Sequence, residues 1–277
     1  MSFLEKEFGL KDRVAVLLGG GGGLGSAIAE GFGKAGADVI VTDISRGKAE
    51  RVAAKLRAED LKVEPLEVDA LDQESLERVC RTILEKHGRI DVLLCAVGGN
   101  LPAATTSEET SFFDLQRDAL ERVIDLNLFG GAILPAQVFG RHMVGNPSGG
   151  SMLFISSINA FRPLTRIAGY SAAKAAVSNF TQWLAVHLAR EYSPKLRVNA
   201  LAPGFFLTEQ NRYLLLEKDG QTATPRGEQI KKHTPMGRFG DPKDLIGAAL
   251  WLASDASRFV TGIVVPVDGG FSAYSGV

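Results

Sequence analysis

The sequence is short of cysteine, of net charge and of long apolar runs, and each shortage removes a class of function. Two cysteines, Cys80 and Cys95, stand at no metal-ligand spacing and make no disulfide framework, so a reducing cytoplasm is the expected setting. The four histidines, His87, His142, His187 and His233, show no ligand pairing either, and no metal is expected. With 31 basic against 32 acidic residues the formal charge is −1, which leaves no footprint for nucleic acid or a membrane surface. No run reaches the length of a membrane span, and the opening MSFLEKEFGL carries acidic residues where a targeting segment has an apolar core. A small-molecule partner is what these exclusions leave. A chain of 277 residues can bury a large core, and a single domain over 1–277 is expected.

Glycine, by contrast, is plentiful and sits where apolar runs end. Val14 to Leu18 is followed by Gly19, Gly23, Leu24 and Gly25 and then by a helical pattern, which reads as strand, glycine turn, helix. The spacing G-x-x-x-G-x-G lets backbone approach a pyrophosphate at the helix N-terminus. Asp38 to Thr42 closes a βαβ unit and ends in Asp43, where a carboxylate accepts from a ribose 2′-OH and repels a 2′-phosphate. That favours NAD over NADP; Arg46, close by in sequence, is the rival phosphate contact, and a helix cap is the bland alternative for Asp43.

Further strands are expected at Lys62 to Val68, ending in Asp69 and Ala70, at Asp91 to Ala96, running into Gly98, Gly99 and Asn100, and at Met152 to Ile155, Arg197 to Leu201 and Ile263 to Val267. Helical patterns alternate with them. The fold class that follows is α/β: a single-domain, doubly wound Rossmann fold with a parallel sheet of about seven strands and helices on both faces. The pattern from Phe112 to Met143 is helical, with Asn127 midway, and Gly130, Gly131 and Pro135 predict that it bends or is interrupted. Residues 205–235, with weak periodicity, fit a substrate lid or a peripheral insertion.

The stretch FISSINAFRPLTRIAGYSAAK, residues 154–174, carries the chemistry. Tyr170 and Lys174 are four apart on a helix, so they share a face, and an ammonium there lowers the phenol's pKa. Ser157, just past a strand end, is placed to donate to the oxygen of a bound carbonyl or alcohol. Alone, a Tyr-x-x-x-Lys pair is an ordinary solvated face.

Gly19-x-x-x-Gly23-x-Gly25, Asn127, Ser157 and Tyr170-x-x-x-Lys174, in this order, resemble the classical short-chain dehydrogenase/reductase family over essentially the whole sequence. The resemblance implies a tetrad: Tyr170 the acid/base, Ser157 orienting the substrate oxygen, Lys174 binding the nicotinamide ribose, Asn127 holding a water in a proton relay. Pro203, Gly204 and Thr208 resemble the family's segment near the carboxamide, and Asp69 its adenine-side position, with Ala70 and Gly98 counted among the cofactor contacts. Leu18 and Cys95-Ala96-Val97-Gly98 depart from the family's usual Thr and N-N-A-G, so apolar packing is expected where that family makes hydrogen bonds. The resemblance also implies a homotetramer.

Gly98-Gly99-Asn100, the 156–185 stretch, PMGRFG from Pro235 and the closing VDGGFSAYSGV are similar to one group within that family, the D-mannonate oxidoreductases (fructuronate reductases), which implies interconversion of D-fructuronate and D-mannonate. A uronate needs a cation and several hydrogen-bonding groups. Asn100, Asn159, Arg162 and Arg166 are the candidates; for both arginines the alternative is solvent or a subunit interface. Rival readings are reduction of a neutral polyol ketone or a 3-oxoacyl thioester, or a regulator that binds NAD and turns over nothing.

Overall fold

A computed structural model describes residues 2–209 and 211–276. Its strands are β1 (Val14–Leu18), β2 (Asp38–Asp43), β3 (Val63–Glu67), β4 (Val92–Cys95), β5 (Gly150–Ile155), β6 (Leu196–Pro203) and β7 (Val264–Val267). The continuous apolar character of β1 and β4, and the burial of β6 along its whole length, are those of strands covered on both faces. All seven pair in parallel in the order β3-β2-β1-β4-β5-β6-β7. The register is level across the middle of the sheet: Leu18 lies opposite both Thr42 and Cys95, Cys95 opposite Phe154, and Phe154 opposite Ala200. Strand ends from β2 to β6 therefore open onto one rim, and the order reverses between β1 and β4, where crevices form in such sheets.

The α-helices among the described residues are α1 (Phe3–Phe8), α2 (Gly23–Lys34), α3 (Arg46–Arg57), α4 (Gln73–His87), α5 (Arg117–Ile124), α6 (Leu134–Met143), α7 (Ala168–Glu191), α8 (Arg212–Leu215), α9 (Pro225–His233) and α10 (Ile246–Ala253). Alternation along β1 splits the core in two. Val14, Val16 and Leu18 pack with Leu76, Val79, Phe139 and Val177 of α4, α6 and α7; Ala15 and Leu17 pack with Ile28, Phe32, Ala49 and Ala249 of α2, α3 and α10. The doubly wound parallel sheet expected from the sequence is the one observed.

Four details differ from the sequence expectation or refine it. The short α1 was not anticipated, although Ser2 and Glu5 form a reciprocal capping box at its start. The segment from Phe112 opens with a 3-10 turn, is α-helical only from Arg117, and winds as a π-helix over Asp125–Ile133 before α6 resumes. Gly130, Gly131 and Pro135 fall in or beside that wide turn, so the expected interruption is a π-helix. Arg117–Met143 is, against expectation, long and apolar enough to cross a membrane by length and composition, but 56% of its most apolar stretch is buried inside the domain, as in a core helix. Residues 205–235 hold α8 and α9 joined by a Leu216–Ala223 bridge.

Leu18 is buried in the core and Val97 packs against the same cluster, as expected from their replacement of polar family residues. The C-terminal tail folds back: the Phe271 ring meets Phe205 edge-on at 5.2 Å, and Arg162 Nε donates to the Ser272 carbonyl at 3.2 Å.

Candidate active site

The rim is built first by glycine. Gly19 adopts φ 71°, and a Cβ there would come within 2.8 Å of the Ala96 carbonyl carbon; a Cβ on Gly25 would come within 2.4 Å of Gly19 O. The turn thus collapses onto β4 and onto the first turn of α2, whose N-cap, Gly22, has no side chain to satisfy the leading N–H groups. Those free donors fit a pyrophosphate. Thr208 comes over the same loop, 3.2 Å from where a Gly23 Cβ would lie, so two segments far apart in sequence meet here.

Asp43 ends β2 with Oδ1 accepting from Ser45 N at 3.0 Å, and Oδ2 stands 2.7 Å from a Cβ position on Gly21. Its free oxygen thus overhangs the glycine loop. Arg46 is drawn to Glu50, Nε to Oε1 2.8 Å, one turn along α3. Asp69 accepts from Leu71 N at 2.9 Å, and Ala70 beside it is buried. Pro203 closes β6, and Gly204 follows, with its backbone N–H donating to Val267 O at 3.0 Å.

Lys174 reaches from α7 to the end of β5, where Nζ donates to the Ile155 carbonyl at 2.7 Å and lies 5.6 Å from the centre of the Tyr170 ring. It is 2% exposed, and burial pushes its pKa down to about 7. Tyr170 is raised, chiefly by the same desolvation, with a hydrogen bond from Ser157 acting in the opposite direction. This corrects the expectation that the ammonium governs the phenol: burial is the larger influence on both groups. Ser156 and Ser178 both donate to the Lys174 carbonyl at 3.1 Å, securing the helix turn behind the lysine.

Asn127, fully buried in the π-helix, donates from Nδ2 to Gly99 O and Val123 O, both at 2.7 Å, and accepts at Oδ1 from Gly99 N at 3.1 Å. Its side chain clamps the β4 loop. A Cβ on Gly98 would fall 2.6 Å from Asn127 Oδ1 and 3.0 Å from Lys174 Nζ, so the glycine lets both groups converge on one spot. Ser157 begins the turn after β5 and is 6% exposed.

The expected substrate contacts separate. Asn159 is buried, its amide turned to Ser157 and to Leu164 N. Arg162 is exposed and engaged with the tail. Arg166, exposed at φ 78°, makes no side-chain hydrogen bond or ion pair to a described residue. Asn100 donates to Thr105 Oγ1 at 2.7 Å, while its Oδ1 is shielded from solvent without a described partner. Sequence reading missed Gly99, whose backbone clasps Asn127, and Ser156 and Ser178; a backbone acceptor such as Ile155 O carries no side-chain signal at all. Among the described residues no group of His, Cys, Asp and Glu could hold a metal.

A family model described as "Enoyl-(Acyl carrier protein) reductase", of the short-chain dehydrogenase type, matches residues 20–272. The protein is a short-chain dehydrogenase/reductase. An uncharacterized oxidoreductase of Bacillus subtilis is 44% identical over 97% of this chain and 98% of its own length. A Haemophilus influenza protein provisionally named a D-mannonate oxidoreductase, solved with bound NAD, is 40% identical with a TM-score of 0.89, covering 97% of this chain and 98% of that one. A gluconate 5-dehydrogenase from Burkholderia cenocepacia, solved with NADP and tartrate, is 30% identical with a TM-score of 0.85 over 98% and 99% of the two chains. This short-chain dehydrogenase/reductase is accordingly an NAD(P)-dependent oxidoreductase with a small-molecule substrate.

Proposed function

We propose that the enzyme interconverts the ketone and alcohol forms of a sugar acid, D-fructuronate and D-mannonate, with NAD as the cofactor. The observation that carries the reading is the convergence of Ser157, Tyr170 and Lys174 at the end of β5 beside a glycine loop overhung by the Asp43 carboxylate. Asp43 supports NAD by accepting from a ribose hydroxyl and repelling a 2′-phosphate; Arg46, paired with Glu50, offers little to such a phosphate.

The nicotinamide cofactor, when bound, supplies the hydride to the keto carbon or takes it from the alcohol. Gly19, Gly23, Leu24, Gly25, Asp43, Asp69, Ala70, Gly98, Tyr170, Lys174, Pro203, Gly204 and Thr208 would hold it. Tyr170 gives its proton to the substrate oxygen in reduction and recovers it in oxidation. Ser157 donates a hydrogen bond to that oxygen as charge develops on it. Lys174, part neutral and part charged near pH 7 by virtue of its burial, restores the phenol's proton, and Asn127 holds the loop against which Lys174 packs. The exposed guanidinium of Arg166 meets the substrate carboxylate, with Arg162 and Asn100 lining the same mouth and residues 205–235 closing over it.

The enzyme works as a homotetramer in the cytoplasm. The outer face of α7 supports this, with Trp183 56% and Val186 59% exposed, and the two buried thiols suit a reducing compartment. A monomeric mass by light scattering would sink the assembly. For the reaction, NADH consumption is followed with D-fructuronate, D-tagaturonate and a neutral ketose. Fructuronate-selective turnover supports the reading; turnover of the ketose alone keeps the hydride chemistry and discards the sugar acid.

A further inference from the structure

Ser157 has one hydrogen to donate and two lone pairs with which to accept. Both acceptor positions are taken by the same residue: Asn159 donates to Ser157 Oγ from its backbone N at 3.2 Å and from its side-chain Nδ2 at 3.1 Å. The Asn159 amide cannot turn over, because its Oδ1 accepts from Leu164 N at 3.0 Å, a contact only an oxygen can make, and from Ser171 Oγ at 3.4 Å. Asn159 is 6% exposed, so water does not compete for these bonds. Ser171 is the neighbour of Tyr170 at the start of α7, which ties the serine turn to the helix that carries the phenol.

We propose that Asn159 is a positioning residue that makes Ser157 an obligate hydrogen-bond donor toward the substrate oxygen and Tyr170. With both lone pairs filled, the hydroxyl has only its hydrogen left to offer. It cannot accept the proton of a substrate alcohol, so that proton passes to Tyr170. A serine free to rotate would spend part of its time accepting from the phenol, in the orientation that opposes proton transfer. The side chain at 159 thus acts through Ser157 and does not touch the sugar acid. The inference rests on the proposed role of Ser157 at the carbonyl oxygen, but on no particular substrate.

The test is a double-mutant cycle of Ser157→Ala and Asn159→Ala, with Asn159→Asp as a third variant, read on whichever ketone the wild type reduces. Ser157→Ala is expected to lower kcat about hundredfold. Asn159→Ala is expected to lower kcat about tenfold with KM nearly unchanged, and to add nothing in the Ser157→Ala background. Asn159→Asp, whose carboxylate accepts the serine hydrogen, should cost more than Asn159→Ala. Additive losses in the cycle would reduce Asn159 to a structural support, and a raised KM with kcat intact would make it a substrate ligand; either overturns the proposal. A second readout needs no turnover: carbon NMR of ring-labelled tyrosine in the holoenzyme, following the Tyr170 phenol. Its pKa should rise in Ser157→Ala and Asn159→Asp alike; the cationic group beside the ring among the described residues, Lys174, lies 5.6 Å from its centre and is already neutral where the phenol titrates. An unmoved phenol in a folded Asn159→Asp protein overturns the proposal, whereas absence of turnover on every ketone with the phenol shifted as expected counts only against the sugar-acid reading.

Discussion

The floor of the site and its mouth are built on opposite principles. On the floor, Asn127, Ser157 and Lys174 are nearly inaccessible and their polar atoms are spoken for by Gly99, Asn159 and Ile155. Around the mouth, Arg162 and Arg166 are exposed, Phe113 is 92% exposed, and residues 101–116 hold only single turns of 3-10 helix. Chemistry at a proton needs donors fixed to a fraction of an ångström, which a packed sheet end provides. Choice among substrates needs side chains that change without disturbing the core, which an exposed loop provides. One fold can therefore keep its reaction while its substrate varies.

Four changes test that division, in order of expected effect. Tyr170→Phe removes the proton donor and should lower kcat about a thousandfold while NADH still binds, as read by nucleotide fluorescence; retained turnover would mean that another group on the floor supplies the proton. Gly98→Ala pushes a methyl into Asn127 and Lys174 and should cost about a hundredfold in activity together with a drop in Tm of about 3 °C or more. Unchanged Tm and activity in that variant would show the floor to be softer than its geometry. Arg166→Ala at the mouth should raise KM for a sugar acid about tenfold, leave kcat and Tm alone, and leave KM for a neutral ketose unmoved. An equal rise for both substrates would remove the carboxylate from the argument.

The mildest test is one of stability against pH. Lys174 is depressed from its ordinary 10.5 to about 7 in the folded protein, so between those values the unfolded protein binds more protons and folding gains stability as pH rises. Below about 7 the lysine is charged in both states and the desolvation penalty is present in full. Tyr170, raised above its ordinary value of 10, contributes in the opposite direction only above that value. Melting wild type and Lys174→Met side by side from pH 7 to 10 should show the wild type recovering ground on the variant; parallel curves would contradict the burial of the amine.

The sheet, the glycine loop and the Tyr-x-x-x-Lys pair were legible in the sequence because each is written in residue type and period: apolar runs meeting glycine, and two side chains one helical turn apart. The π-helix was only half legible. Gly130, Gly131 and Pro135 announce a break, but the sense of the break depends on Gly131 lying against the Val97 carbonyl, a contact between segments distant in sequence. Asn159 shows the same limit. Its position after Ser157 placed it at the site, yet whether it faces outward to a ligand or inward to the serine is decided by Leu164 N, whose free donor no pattern reveals. The Tyr170 pKa escaped sequence reading for a third reason, since spacing displays the neighbouring charge and hides the desolvation that outweighs it in a partly buried ring.

The strand order β3-β2-β1-β4-β5-β6-β7 has a consequence for assembly. Starting from β1, each new strand in sequence order joins an outer edge: β2 and β3 extend one side, β4 to β7 the other, and none has to be threaded between two that are already paired. Every length released during synthesis can thus be a complete, smaller sheet. The half with the glycine loop and Asp43 is synthesised before residues 150–174, so the first part of the nucleotide cradle can form ahead of the groups that would react upon it, and Gly204 and Thr208 complete it afterwards.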